Sequence, residues 1–142
     1  MEIVKAREIS ESEIDQIHVL VRQLSSRANL IGTAEINTLL SDGKLVLFTA
    51  IVDGKIIGML SLVFYQIPTG LRARIEDVVV LDEYRGLGIA RSMSEKAIST
   101  FKEAGARTLD LTSSPSRSAA NNLYQSIGFV QRETNVYRFK DH

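Results

Sequence analysis

Val78-Val79-Val80-Leu81-Asp82-Glu83-Tyr84-Arg85-Gly86-Leu87-Gly88-Ile89-Ala90-Arg91 is the stretch on which the reading of this chain turns. It opens on an unbroken apolar run, the pattern of a strand covered on both faces. After a polar turn, Ile89, Met93, Ala97 and Phe101 recur at helical spacing until Gly105 supplies a stop. A strand that turns through two glycines into a helix leaves the helix's free N–H groups and the positive end of its dipole at the turn. Both favour phosphate there. Gly86 and Gly88 let the main chain approach such a group with no Cβ in the way, and Arg85 and Arg91 flank it. Tight strand–helix turns also use glycine for geometry alone, so the loop by itself leaves both readings open. A Walker loop is absent, and Arg91 stands where a dinucleotide fingerprint would need its third glycine.

Working outward, Arg74 to Leu81 reads as the strand that feeds this turn, and Thr108–Thr112 as the strand that follows its helix. Strand–helix–strand over 75–112 predicts a right-handed crossover between parallel strands. Upstream, Leu45–Val52 and Ile56–Tyr65 are rich in β-branched and aromatic residues. Asp53-Gly54 between them suits a type I′ hairpin turn. Further back, residues 3–8 form a first strand. Ser10 or Ser12 caps a helix striped by Ile14, Ile17, Val21 and Leu24, and a shorter helix after Thr33 carries Ile36, Leu39 and Leu40. Downstream, Ser113-Ser114-Pro115-Ser116 caps a helix through Ala119, Ala120, Leu123 and Ile127, closed by Gly128. Phe129–Arg132 and Val136–Phe139 read as two final strands. No composition shift or repeat divides residues 1–142, so one α/β domain with a mixed sheet is expected.

Bulk properties narrow the chemistry. The 142 residues carry 17 basic and 17 acidic side chains, which gives no electrostatic case for nucleic acid or an anionic membrane as partner. With no cysteine and only two histidines, His18 and His142, disulfides, thiolate metal sites and a cysteine nucleophile are out. A zinc centre or a serine–histidine triad has almost nothing to be built from, and no metal is expected. No apolar stretch reaches the length of a membrane span, and the N-terminus lacks a signal peptide's apolar run, so the expected address is the cytoplasm.

The loop Arg85-Gly86-Leu87-Gly88-Ile89-Ala90 resembles the Arg/Gln-x-x-Gly-x-Gly/Ala motif of the GNAT superfamily of N-acetyltransferases. Downstream, Leu123-Tyr124-Gln125-Ser126-Ile127-Gly128-Phe129 resembles that family's Leu-Tyr-x-x-x-Gly-Phe run, in the family's order and at its spacing. The two motifs cover roughly residues 75–130; the N-terminal half is similar in predicted topology only. The resemblance implies a single-domain GNAT-like mixed sheet of about six to seven strands flanked by about four helices. It also implies an acetyl-CoA-dependent N-acetyltransferase that moves an acetyl group to a primary amine of a small molecule or protein by direct attack in a ternary complex. A non-catalytic acyl-CoA-binding sensor or interaction module is the alternative.

Carried over residue by residue, the resemblance gives the coenzyme's pantetheine arm the main chain of Val78, Val79 and Val80. Its pyrophosphate falls to Arg85, Gly86, Gly88, Ile89, Ala90 and Arg91. Tyr124 takes the position of a tyrosine that protonates the departing thiolate, whose thiol has a free pKa of about 8.5. The other reading of Tyr124 is a packed helix tyrosine. Asn121, three residues earlier on nearly the same helix face, is a coenzyme contact, with Asn122 a second candidate. Where many relatives carry asparagine seven residues before the tyrosine, this chain has Arg117.

An alkyl ammonium, with a pKa of about 10.4, must lose a proton before it attacks, so a base is needed. Glu76 and Asp77 interrupt an apolar strand where unpaired charge is costly. By alternation they point to opposite faces unless a bulge intervenes, and Glu76 is the expected base, the plainer role being pairing with Arg72 or Arg74. The Ile75-Glu76-Asp77-Val78 run is similar to the corresponding strand of glucosamine-6-phosphate N-acetyltransferases, over too short a length to fix a substrate. His18 is expected to be structural, and Arg22 and Arg27 to be solvated. The last strands would offer an edge for a homodimer.

Overall fold

A computed structural model describes residues 1–141 and divides the chain into two compact units, Met1–Thr112 and Ser113–His142. The first unit holds a five-stranded sheet in sequence order: β1 (Glu2–Lys5), β2 (Leu45–Val52), β3 (Lys55–Ile67), β4 (Gly70–Val80) and β5 (Thr108–Asp110). The first four strands pair antiparallel, and β5 runs parallel to β4, so the sheet is mixed as expected. Its helices are α1 (Glu11–Leu24), α2 (Thr33–Asp42) and α3 (Ile89–Ala104), with a short 3-10 turn at Asp82–Tyr84.

Local chemistry sets these elements. Ser10 caps α1 in a full capping box, its hydroxyl accepting from Glu13 N while the Glu13 carboxylate accepts from Ser10 N. The buried stripe of α1 is Ile14, Ile17 and Leu20, whereas Leu24 is exposed. The i+3 step from Ile17 selects Leu20 over the expected Val21. In the β2–β3 hairpin Asp53 (φ 49°) and Gly54 (φ 75°) both lie left-handed, as a type I′ turn requires. Residues 56–62 of β3 are all buried, odd and even alike, so the centre of the sheet is covered on both faces. Both α1 and α3 pack on β3 and β4. Ile9, Ile17, Leu20, Ile57, Leu60, Leu62 and Met93 are the large side chains sealed at this centre.

The second unit carries α4 (Ser118–Ser126). The strands expected at 129–132 and 136–139 do not form, which leaves five strands rather than six or seven. Strand structure requires a hydrogen-bonded neighbour. Among the described residues, main-chain hydrogen bonding in this unit ends with Phe129 N donating to Tyr124 O at 3.0 Å. Among the described residues no helix is long and apolar enough to cross a membrane, and no cluster of metal-binding side chains occurs.

Candidate active site

The site is built on the way β4 ends. Its pairing with β5 covers only Arg72 to Arg74, yet β4 continues to Val80, so its last six residues have no strand on that side. Leu81 N donates to Ile57 O at 2.8 Å, on the β3 side. Main-chain groups alternate along a strand, so Val80, and Val78 two residues before, turn their N–H and C=O to the open side. There Gln23 of α1 reaches across and donates its Nε2 to the Val80 carbonyl at 2.8 Å.

Upstream on β4 the register slips. Ser61 faces Glu76 and Met59 faces Val79, so Leu60 lies opposite both Asp77 and Val78, a bulge. Asp77 takes the strain with φ 51°. This is the bulge that simple alternation left open, and it turns Glu76 and Asp77 out in succession instead of to opposite faces. The Glu76 carboxylate accepts from Arg74 Nε at 3.2 Å. Arg72 instead donates to Thr108 and Thr69. Burial, and then the neighbouring Glu76 charge, push the Asp77 carboxyl above its ordinary value.

Downstream, Gly86 (φ 77°) and Gly88 (φ 78°) both sit in the left-handed region, and Gly88 is the N-cap of α3. A Cβ at either glycine would meet nothing within 4 Å. Packing therefore does not demand glycine; the backbone conformation does. Gly88 offers no side chain to cap α3, and the first turn contains no acidic residue. The amides of Ile89 and Ala90 thus face a helix N-terminus lacking the usual acceptor, a local chemistry that fits a diphosphate. Arg85 pairs with Asp82 at 3.2 Å and Arg91 with Glu95 at 3.0 Å, both exposed pairs of the weak surface kind. Leu87, 67% exposed, caps the tip of the turn.

The second unit holds Tyr124 and Asn121. Tyr124 is half-buried and packs edge-on against Phe129, ring centroids 5.9 Å apart at 74°. Burial raises its phenol above the ordinary value, with Arg117 pulling the other way. Asn121 spends both hydrogens of Nδ2, on Ser114 O (2.9 Å) and Arg117 O (2.8 Å), which fastens the turn ahead of α4. Asn122 is exposed.

Between α1 and α2 the linker is strapped to the helix. Arg22 Nη1 donates to Ser26 O and Ala28 O, each at 2.8 Å, and His18 Nε2 lies 2.7 Å from Ile31 O. Arg22, exposed as expected, thus also clamps the linker, and His18 is held against it. Gln23, the residue that reaches the open edge of β4, carried no sequence signal because its partner lies 57 positions away.

Residues 11–129 match the family model for Acetyltransferase (GNAT) family proteins, and the chain belongs to that family. The family uses acetyl-CoA as co-substrate. Among curated proteins the chain is 32% identical over 71 residues to N-alpha-acetyltransferase 30 of Schizosaccharomyces pombe, covering 50% of this chain and 47% of that protein. It is 30% identical over 92 residues to N-alpha-acetyltransferase MAK3 of Arabidopsis thaliana, covering 65% and 48%. The matched stretches thus span about half the length of these curated relatives. Among solved structures, one described as a predicted acetyltransferase with acetyl-CoA from Clostridium acetobutylicum superposes with a TM-score of 0.76 at 22% identity, covering 99% of each chain.

Proposed function

We propose that this chain is an N-acetyltransferase that carries the acetyl group of acetyl-CoA to a primary amine by direct attack in a ternary complex. The observation that carries the reading is the uncapped, acid-free start of α3 behind the Gly86-Leu87-Gly88 turn, set at the end of a strand with an unpaired edge. Gly86, Gly88, Ile89, Ala90 and Arg91 offer amides to the diphosphate, and Arg85 adds charge beside them. The outward N–H and C=O groups of Val78, and the N–H of Val80, suit the amide-bearing arm of the coenzyme, with Val79 packing behind them. Asn121 contributes its Oδ1.

For the chemistry, a carboxylate of the Glu76–Asp77 pair takes the proton that the amine must lose. The Glu76 carboxylate is shared with Arg74, which compensates its charge. Asp77, raised by burial and without a cationic partner among the described residues, is the stronger base of the pair. As the nitrogen attacks the thioester carbon and the carbon–sulfur bond breaks, Tyr124 gives its phenolic proton to the leaving thiolate. Its raised pKa keeps that proton in place at neutral pH.

Among acceptors, an α-amino group of a polypeptide is favoured, because both curated relatives carry N-alpha-acetyltransferase names. Such a group, with a pKa of about 7.7–8.0, is partly neutral at pH 7 and asks less of a base than a lysine does. The test is an acceptor panel of peptide N-termini, lysine peptides and small amines, with acetyl-CoA and detection of free thiol. Thiol release that tracks acetylation of one amine class supports the reading. Binding of acetyl-CoA without thiol release on any amine replaces it with the sensor alternative.

A further inference from the structure

We propose that Gln23 is a positioning residue of the coenzyme site. By holding the Val80 carbonyl it sets the rung of the open β4 edge at which an arriving chain begins to pair, and so where the thioester stops. This rests on the reading above, in which that edge takes the amide-bearing arm of acetyl-CoA.

Beyond Arg74 the outward side of β4 has no strand, yet one of its acceptors is already taken. Gln23 Nε2 donates to Val80 O at 2.8 Å in a half-buried bond. A carbonyl only accepts, so the nitrogen of the carboxamide must face it, not the oxygen. A primary amide at that point stands where the N–H of a neighbouring strand would stand. Gln23 thus adds one rung to the sheet and leaves the rung at Val78 open.

The glutamine is delivered by a fixed element. It lies in the last turn of α1, whose Ile17 and Leu20 are buried, and α1 packs on β4. Arg22 ties the same turn to Ser26 O and Ala28 O, and Ser25 N closes the helix on Val21 O at 2.9 Å. Seven residues earlier, two turns back on the same side of the helix, Gln16 Oε1 accepts from Ile56 N at 2.6 Å. The two carboxamides peg α1 to the sheet with opposite chemistry. Gln16 accepts at the start of β3, an interior strand, whereas Gln23 donates at an edge.

With Val80 O occupied, the first outward carbonyl open to an arm leaving the Gly86–Gly88 turn is that of Val78. Without Gln23 the first N–H of the arm meets Val80 O instead, and a flexible chain halts one rung early. A rung on one edge is two residues, about 6.6 Å, so the thioester falls short of Glu76 and Asp77. The arm makes as many hydrogen bonds in either register. Affinity therefore changes little, while turnover depends on which register is taken.

The experiment compares the full wild-type chain with Gln23→Met, Gln23→Ala and Gln16→Met. Methionine matches glutamine in length and lacks its donor. Three quantities are read: Kd for acetyl-CoA by calorimetry, kcat with the best amine of the acceptor panel, and the ¹³C resonance of acetyl-CoA labelled at the acetyl carbonyl, bound without amine. Both Gln23 variants are expected to lose about 10²-fold in kcat. Their Kd is expected to stay within about threefold of the wild type. Their bound resonance is expected to move or split. Gln16→Met, which loses a peg of the same kind, is expected to lower the melting temperature alone. Gln23 variants with wild-type kcat and resonance overturn the proposal, and so does a Gln16→Met chain that reproduces their losses, since the role is then mere pegging. A wild-type chain that fails to bind acetyl-CoA ends the parent reading and this one together. Wild-type binding and turnover with unaffected Gln23 variants end this one alone.

Discussion

Asp77 sits in a left-handed backbone conformation that few non-glycine residues adopt, turned out at the surface with Glu76 beside it. Its carboxyl is raised, so the folded state holds the proton more tightly than the unfolded chain. That contribution to stability is whole below the unfolded value of 3.8 and is lost as pH rises through the folded value. Asp77→Asn should therefore raise the melting temperature at pH 7 and lose that advantage below about pH 4. If Asp77 is the base, the same variant loses most of its turnover while its affinity for acetyl-CoA stays within about twofold; melting curves and kinetics across pH check both halves. Tyr124→Phe makes the matching case for the acid: a fall in kcat of about 10²-fold with acetyl-CoA binding retained, read by titration calorimetry beside kinetics. Unchanged kcat removes the role. At this scale the sequence was informative where chemistry is local. The two carboxylates and the glycines stood out, and the cap of α1 was narrowed to Ser10 or Ser12, of which Ser10 serves. The bulge that orients Glu76 and Asp77 was not, because it is a property of pairing with β3, and the reach of Gln23 to Val80 was hidden for the same reason.

Among the elements, α3 and its turn carry the most weight. A side chain at position 88 meets empty space, so the cost of Gly88→Val lies in backbone strain, about 1–2 kcal/mol, which a folded domain tolerates. The variant should keep its circular-dichroism spectrum and lose the thermal stabilisation that acetyl-CoA gives the wild type. A full thermal shift with the variant would sink the phosphate role of the turn. Periodicity predicted α1, α2, α3 and α4 and the β2–β3 hairpin, since each has its signal within a dozen residues. It misplaced two positions of the α1 stripe, where Leu20 rather than Val21 is buried and Leu24 is exposed. It also started β4 late: the strand was read from Arg74, and residues 70–73 joined it only through their pairing with β3 and β5. The strands expected at 129–132 and 136–139 failed for the complementary reason, since strand propensity without a partner produces an extended chain and nothing more.

For the molecule as a whole, the sequence motifs were enough to name the family, and the sheet order explains why so little sequence is needed. β4 parts from β5 after Arg74, and from there its outward edge pairs with no strand of the sheet, Gln23 reaching it at the Val80 carbonyl. Peptide groups are the same in every protein. A groove lined by them asks for no particular side chains along its length, only for the divergence of two strands and a pair of glycines at its mouth. If that edge holds the coenzyme as proposed, substitutions can accumulate across most positions without disturbing the grip, and the architecture can persist at 22% identity.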